Sequence, residues 1–440
     1  MKRIVAYIIS VVLIASLLLS GCGSSGSSNS SKNTSQANSS NSTKHKITIW
    51  AWDPNFNIPV MNQAKSIYIK DHPNVQIDIV EMAKADVEQK LNTVLASGSK
   101  EGLPDIVLIE DYNAQKYLQA YPNAFADLTN KINYNDFANY KIKFMTLDNK
   151  IYGVPFDAGV AGLFYRSDIL SQAGIKPEDL NNITWDQFMN IGKQVKEKTG
   201  KDMISLDPAD GGEIRIMLQS AGQWYFDANG KPNLTNNEVL KEAVNTYKEL
   251  INSNFVKKES GWNNWVASFN NGDVASVISG VWIIGSIKAA KDQSGKWALA
   301  PIPRLNDSLS VNYSNLGGSS WYVLNDSKNK DVAIDFLKTI YDGNVDFYQQ
   351  ILVNQGAMGT YIPAQNGSAY SSPDTFFGGQ KVFSDLSDYM KKIPSINYGM
   401  YTYEADSAIM AVMPDVYSGK LSVDDALKKA QDQLNNQIGK

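Results

Sequence analysis

The chain has 440 residues, and its 41 Lys and Arg stand against 45 Asp and Glu, which gives a formal net charge of −4. A mildly acidic chain with scattered charges argues against a nucleic acid or an anionic membrane surface as its partner. The single cysteine excludes an intramolecular disulfide, and the length exceeds what one hydrophobic core usually supports, so two lobes are expected.

The N-terminus has the pattern of an export signal. Residues 4–19 are almost entirely apolar, follow Lys2 and Arg3, and end just before Cys22. A basic start, a short apolar run and small residues before a cut are typical of a signal peptide, and the run is too short for a membrane span. The segment 19–22, LSGC, resembles the lipobox of bacterial lipoproteins, whose cysteine is acylated. This predicts a signal peptide over residues 1–21 and a lipid anchor on Cys22, with an ordinary signal peptide as the alternative.

The segment that follows, residues 22–45, is rich in Ser and Asn and contains no aromatic residue. Such a composition cannot bury enough apolar surface to offset its ordering entropy, so it predicts a flexible linker. The linker and lipobox together favour a protein held on the extracellular face of the cell membrane of a Gram-positive cell.

Strands and helices alternate in the first half of the globular part. Periodicity predicts strands at 46–51, 75–80 and 106–109, helices at 57–71 and 86–97, and a hairpin turn at 148–153 before an extended stretch at 154–165. This alternation predicts an α/β fold with mainly parallel sheet.

The second half is predicted to be more helical. Thr184 and Gln187 have the spacing of a capping box. Amphipathic patterns predict helices at 236–251, 331–341 and 421–437, and apolar runs predict strands at 297–301, 311–315 and 320–324.

Several short motifs occur in a characteristic order. They are GLPDIV at 102–107, YGVP at 152–155 with LFYRSDIL at 163–170, TWDQF at 184–188, FNNGDVA at 269–275 with GVW at 280–282, and AIDFLK at 333–338. In this order they resemble the extracellular sugar-binding proteins of ABC importers, the class that includes maltose-binding protein. The resemblance covers the whole chain after the linker.

The resemblance implies a two-lobe, periplasmic-binding-protein-like α/β fold of the type II kind, with the ligand in the cleft. It implies three interlobe crossings, near 157–160, 316–319 and 341–345. The N-lobe would comprise 46–157 plus 318–341, and the C-lobe 158–317 plus 342–440. It further implies that the lobes close about a hinge on a neutral di- to trisaccharide. The first candidate is a β-linked sugar such as lactose or a cello- or laminari-oligosaccharide. The receptor would be a monomer that delivers this sugar to ABC permease subunits.

A sugar ring offers apolar faces and a rim of hydroxyls, which aromatic side chains and carboxylates recognise. Residues that directly follow strands would face the cleft, and Trp282 matches the stacking position of the family's Gly-x-Trp motif. The candidate ligand-binding residues are Trp282, Trp224, Trp52, Asp53, Asn55, Glu110, Asp111, Tyr112, Asp157, Trp262, Tyr401 and Glu404. Trp185, Trp265, Trp297 and Trp321 are expected to be structural, Trp265 because it has a core spacing of i+4 with Phe269. No cofactor or metal is expected.

Three other functions are considered, of which one, an adhesion protein that binds polysaccharide at the wall, would need an open aromatic strip instead of a closing cleft. A secreted glycoside hydrolase could draw paired carboxylates from Asp53, Asp111, Asp157 and Glu404. The same fold could instead bind a peptide, a polyamine or a uronate, but a uronate site needs cationic side chains. Only Arg166, Arg215 and Arg304 follow the signal segment as arginines, which favours a neutral ligand.

Overall fold

The computed structural model describes residues 44–227 and 229–439. The predicted signal peptide, Cys22 and nearly all of the predicted linker lie outside the described residues.

The strands of the described chain are short and mostly buried. In chain order they are β1 (His45–Ala51), β2 (Val75–Glu81), β3 (Ile106–Glu110), β4 (Thr146–Leu147), β5 (Lys150–Ile151), β6 (Gly153–Pro155), β7 (Ala161–Arg166), β8 (Asp202–Leu206), β9 (Val256–Lys258), β10 (Val274–Gly280), β11 (Trp297–Ala300) and β12 (Ser319–Val323).

Helices separate most of these strands and form the C-terminal part of the chain. They are α1 (Asn57–Tyr68), α2 (Lys84–Ser97), α3 (Asp111–Ala120), α4 (Asn139–Phe144), α5 (Ser167–Gln172), α6 (Trp185–Thr199), α7 (Gly212–Ser220), α8 (Glu238–Asn252), α9 (Trp262–Asn270), α10 (Ile284–Ile287), α11 (Lys330–Tyr341), α12 (Val345–Gln355), α13 (Ser368–Ser371), α14 (Val382–Met390), α15 (Thr402–Tyr417) and α16 (Val423–Gln437).

The strands form two five-stranded sheets, with order β2-β1-β3-β12-β6 in the first and β11-β7-β10-β8-β9 in the second. We call the first sheet with its helices the N-lobe and the second the C-lobe. In each sheet two pairings are parallel and two are antiparallel. The α/β fold is therefore as predicted, but the sheets are mixed and not mainly parallel. The strand that enters each sheet after a crossing, β12 in the first and β7 in the second, pairs antiparallel with both of its neighbours.

Local sequence signals explain several element boundaries. Helix α2 ends at Gly98, which adopts the left-handed conformation (φ 68°) that glycine tolerates best. Helix α6 begins with the predicted capping box: the amide of Gln187 donates to the Thr184 hydroxyl (3.3 Å), and the amide of Thr184 donates to the Gln187 side chain (2.9 Å). The hairpin turn lies between β4 and β5, where Asp148 and Asn149 have positive φ.

One cluster of buried apolar side chains runs through both lobes, and a smaller one packs against the opposite face of the first sheet. Trp185, Trp297 and Trp321, expected to be structural, are all fully buried. Trp265 packs against Phe269 as expected, but it is only partly buried and also borders a pocket. One predicted strand is wrong: residues 311–315 form no strand, and Asn315 makes only an isolated bridge to Val160.

That bridge marks where two segments pass side by side between the lobes. The chain leaves the first sheet after Pro155 and joins the second at Ala161. The amide of Leu316 donates to the Gly159 carbonyl (2.7 Å), shortly before β12 returns to the first sheet. A Cβ on Gly159 would lie 2.3 Å from the Leu316 carbonyl oxygen, so the close approach of the two segments requires glycine.

The last passage between the lobes comes later than the sequence suggests. Helix α12 still packs against α1 of the N-lobe, where Gln63 donates to Gln350 (2.7 Å). Gln380, by contrast, bonds the backbone of Leu299 in the second sheet (2.8 and 2.9 Å). The contacts thus place this passage after α12 and before Gln380, whereas the sequence places it near 341–345.

In the part of the chain that the structure describes, no helix combines the length and apolar character that crossing a membrane requires.

Candidate functional site

A cavity of about 500 Å³ lies between the two lobes, and we call it the cleft cavity. Its wall is built where strands of both sheets end: Trp52 follows β1, Glu110 ends β3, Asp210 follows β8 and Trp282 follows β10. Ligands of open α/β sheets bind in the crevice outside the carboxyl ends of the strands, which is where this cavity lies. The crossing segment contributes Leu316, Gly317, Gly318 and Ser319.

Tryptophan side chains from both lobes face the cleft cavity. Trp282 has its indole Nε1 bonded to the Leu316 carbonyl (2.9 Å), which fixes the ring against the crossing segment. A Cβ on Gly280 would lie 2.3 Å from that Nε1 atom, so the glycine of the Gly-x-Trp motif makes room for the ring. Trp262 is 53% exposed, and its ring centroid lies 5.9 Å from that of Trp282. Trp52 lines the cavity from the N-lobe.

The turn after β1 is held rigid by its own side chains. Asp53 Oδ1 accepts from the amides of Asn55 (2.8 Å) and Phe56 (3.1 Å). Asn57 Oδ1 accepts from the amides of Trp52 (3.2 Å) and Asp53 (3.1 Å). The cavity-lining side chains of this turn are therefore presented in a defined position before any ligand arrives.

Glu110 joins the two lobes at one side of the cavity. Its carboxylate accepts hydrogen bonds from Lys84 of α2 and from the Tyr403 hydroxyl of α15. Since α15 packs against α8 and α16 of the C-lobe, these bonds connect the lobes.

Beneath the cavity lies a buried ionic cluster around Lys141, which is 0% exposed. Its Nζ donates to Asp111 Oδ2 (2.6 Å) and to the carbonyls of Asp157 (2.7 Å) and Ser319 (2.8 Å). Asp157 Oδ1 in turn accepts from the Ser319 amide (2.8 Å) and hydroxyl (2.7 Å). Burial raises the pKa of Asp111 to about 7 although Lys141 opposes the shift, and burial also raises the pKa of Asp157. This cluster ties α3, α4 and both crossing segments together.

Arg215 lines the cavity and is already paired with carboxylates of the protein. Its Nη1 lies 2.5 Å from Asp406 and its Nη2 lies 3.2 Å from Asp210, while the guanidinium carbon lies 5.4 Å from the Tyr112 ring centroid. Its charge is therefore balanced within the protein, and the cavity offers no free arginine among the described residues that line it.

The structure brings most of the predicted site residues together. Those that line the cleft cavity are Trp282, Trp52, Asp53, Asn55, Glu110, Tyr112, Asp157 and Trp262.

The other predicted residues lie outside the cavity wall. Asp111 is in the cluster below it. Trp224 is 3% exposed, bonds the Thr402 hydroxyl (3.0 Å) and stacks behind Tyr112. Glu404 pairs with Lys116 (2.6 Å), and Tyr401 immediately precedes α15, partly buried against the core.

The sequence reasoning missed Asp210, Arg215, Ser286 and Gln355, which also line the cavity. The rule that selected Trp52 and Glu110 does not reach Asp210, because β8 was not predicted and ends at Leu206, four residues before it. No local signal identifies the others, since they reach the cavity through the packing of helices.

Two lobes with mixed sheets and a cavity at the strand ends define the periplasmic-binding-protein class of fold. Residues 63–374 match the profile of the bacterial extracellular solute-binding proteins. The chain belongs to that family, which confirms the resemblance seen in its motifs.

Individual relatives agree with this assignment. The chain is 53% identical over 393 residues to the lactose-binding protein of Rhizobium radiobacter, covering 89% of this chain and 93% of that one. It is 25% identical over 408 residues to the arabinooligosaccharide-binding protein of Bacillus subtilis (strain 168), covering 90% of each. Its fold matches the ABC transporter associated binding protein from B. animalis subsp. lactis Bl-04 in complex with beta-1,6-galactobiose, with a TM-score of 0.72 and 24% identity over 90% of this chain and 97% of that one.

Proposed function

We propose that this protein is the sugar-binding receptor of an ABC importer and captures a neutral di- to trisaccharide by closing its two lobes. The observation that carries the proposal is the composition of the cleft cavity, where the rings of Trp52, Trp262 and Trp282 face the same space as Asp53 and Glu110. Flat aromatic rings cover the C–H faces of a sugar, and carboxylates accept its hydroxyl protons.

The volume of the cavity supports a ligand of this size. About 500 Å³ falls within the range of roughly 300–1,000 Å³ that small-molecule sites occupy. The 53% identity to a lactose-binding protein supports a β-linked disaccharide, first of all lactose, with cello- and laminari-oligosaccharides as further candidates.

The charge balance supports a neutral ligand. The one arginine that lines the cavity in the described chain is paired through Nη1 with Asp406 and through Nη2 with Asp210, so its positive charge is already balanced by carboxylates before any uronate arrives. Peptide or polyamine binding remains the alternative within the same fold.

The partners of the cavity carboxylates favour recognition over hydrolysis. Glu110 is bonded to Lys84 and Tyr403, Asp157 to Ser319, and Asp53 to backbone amides. A glycoside hydrolase needs one carboxylic acid free to protonate the leaving oxygen. We therefore propose a binding protein that hands its sugar unchanged to permease subunits, with Cys22 as the lipid anchor on the extracellular face.

Calorimetric titration against a panel of neutral oligosaccharides, with product analysis, tests the proposal. Stoichiometric binding of lactose or a related disaccharide that is recovered intact is the expected result. Cleavage products would establish the hydrolase instead. Binding of a peptide, a polyamine or a uronate, with no response to any neutral sugar, would overturn the sugar assignment.

A further inference from the structure

A second cavity of about 320 Å³ opens beside the cleft cavity, and we call it the side pocket. The two share a wall made of Asp210, Trp262, Trp282 and Leu316, so they adjoin directly. The remaining lining comes from the C-lobe strand β10, helices α7 and α9 and the loop after β8. The side pocket is thus complete within the C-lobe and its crossing segment.

Indole rings form the apolar wall of the side pocket. The ring centroid of Trp262 lies 5.3 Å from that of Trp265 and 5.9 Å from that of Trp282. Trp265 is fixed by a hydrogen bond from Nε1 to the Ser205 carbonyl (3.1 Å). Ring faces held in place in this way cover the C–H faces of a sugar at little cost in side-chain entropy.

Ser279 lies at this pocket with an unsatisfied polar atom. Its side chain lines the pocket from β10 and is 1% exposed, yet its hydroxyl has no hydrogen-bond partner within the described residues. Buried hydroxyls in native structures are nearly always bonded, and an unpaired one costs about 1–3 kcal/mol. A ligand hydroxyl in the side pocket would supply the missing partner.

Glu213 of α7 adds a second hydrogen-bonding group. Burial, and after it the neighbouring Asp210, raises the pKa of Glu213 to about 8. A pKa raised in this way favours the protonated acid, which both donates and accepts hydrogen bonds as a sugar hydroxyl does. Asp207, whose Oδ2 accepts from the Gly261 amide (2.9 Å), makes the rim acidic and unsuited to an anionic ligand.

We propose that the side pocket is a subsite for one further neutral pyranose ring of a bound oligosaccharide. A disaccharide would fill the cleft cavity alone, and a trisaccharide would place its third ring between the indoles, Ser279 and Glu213. The size of the pocket matches one ring, because it lies at the lower end of the range for small-molecule sites, roughly 300 Å³. This inference rests on the proposed function and specifies its substrate length.

The test measures binding affinity by calorimetry on the purified full-length protein in detergent. It compares lactose with lactose derivatives that carry one additional galactose, each attached at a different hydroxyl. At least one derivative should bind about tenfold more tightly than lactose. Ser279→Ala should reduce that derivative's affinity by roughly three- to tenfold, the cost of one hydrogen bond, and leave lactose unchanged. Ser279→Leu, whose larger apolar side chain would occupy the pocket wall without offering a hydrogen bond, should remove the gain entirely.

The matched control is Ser276→Ala on the same strand. The Ser276 hydroxyl donates to the Met203 carbonyl (2.7 Å), and residues three apart in a strand face opposite sides, so this change should affect neither ligand. The subsite is overturned if no extended sugar binds more tightly than lactose, or if the Ser279 variants weaken both ligands equally. Failure of the native protein to bind any neutral sugar would instead refute the proposed function on which the subsite depends.

Discussion

At the scale of single residues, Trp282 carries the greatest weight in the proposed site. It follows β10 directly, its Nε1 bonds the Leu316 carbonyl (2.9 Å), and it lines both the cleft cavity and the side pocket. Aromatic anchors at the centre of a binding site are the residues whose truncation most often costs a large part of the binding energy.

We therefore expect Trp282→Ala to weaken sugar binding by about 100-fold, equivalent to about 2.8 kcal/mol, while the fold is retained. Calorimetry gives the affinity and circular dichroism verifies folding. Trp297→Phe is the control, because Trp297 is buried in β11 away from the cavity. An unchanged affinity in Trp282→Ala would show that another ring forms the platform.

Lys141 permits a second prediction at this scale. Its ammonium is fully buried and bonded to Asp111, and it also satisfies the carbonyls of Asp157 and Ser319. Lys141→Met would leave a buried carboxyl group and two carbonyls without this donor, and should cost about 3–5 kcal/mol of unfolding free energy in urea titrations.

Lys100→Met provides the comparison for that measurement. Lys100 pairs with Asp326 (3.1 Å) at the surface, with 71% of its side chain exposed, so its loss should cost less than about 1 kcal/mol. An equal loss of unfolding free energy in the two variants would show that the buried Lys141–Asp111 pair stabilises the protein no more than an exposed ion pair does.

Site residues were predictable from the sequence where a strand signal preceded them. Trp52, Asp53 and Glu110 follow clear strands and line the cavity, whereas Asp111, one residue further on, begins α3 and turns toward Lys141. No pattern along the chain distinguishes these two neighbouring acids. The direction of each is decided by helix register, which depends on packing with distant residues.

At the scale of elements, patterns with local causes were predicted well. Helix α6 begins at its capping box and α2 ends at its glycine, because capping depends on residues within one turn. The direction of strand pairing was not predictable in this way, since β12 reaches β3 and β6 only after the chain has passed through the other lobe.

The crossing segments support a prediction about one glycine. The Cβ of Gly159→Ala would lie 2.3 Å from the Leu316 carbonyl oxygen, so the two segments would have to move apart. We expect a loss of about 1–3 kcal/mol in stability and weaker sugar binding, measured by thermal unfolding and calorimetry. Gly285→Ala is the stability control, because its new Cβ meets nothing within 4 Å. Equal melting temperatures for the two variants would contradict this reading of the crossing.

At the scale of the whole molecule, the membrane anchor is a testable part of the proposal. Cys22→Ala removes the only cysteine and with it the predicted acylation site. The variant should lose incorporation of labelled fatty acid and move from the membrane fraction to the medium. Unchanged membrane association would indicate an ordinary signal peptide and a different mode of attachment.

The distribution of contacts between the lobes bears on the closure that we propose. At one side Lys116 pairs with Glu404 (2.6 Å) and Tyr403 bonds Glu110, so α15 links the lobes there. Trp52 and Trp282 reach the cleft cavity from different lobes. A sugar that contacts both rings gains most when the lobes approach each other, and the paired crossing segments at Gly159 and Leu316 provide a narrow hinge for that motion.

We expect saturating disaccharide to reduce the radius of gyration measured by solution X-ray scattering. Trp282→Ala should show no reduction at the same sugar concentration, because the ligand no longer favours the closed form. An open binding strip, as in an adhesion protein, would bind sugar without compaction. Sugar binding that leaves the scattering curve of the native protein unchanged would therefore refute closure, even if the affinity is high. Without closure, the loaded and empty receptors would have the same shape, and a permease could not distinguish them by conformation.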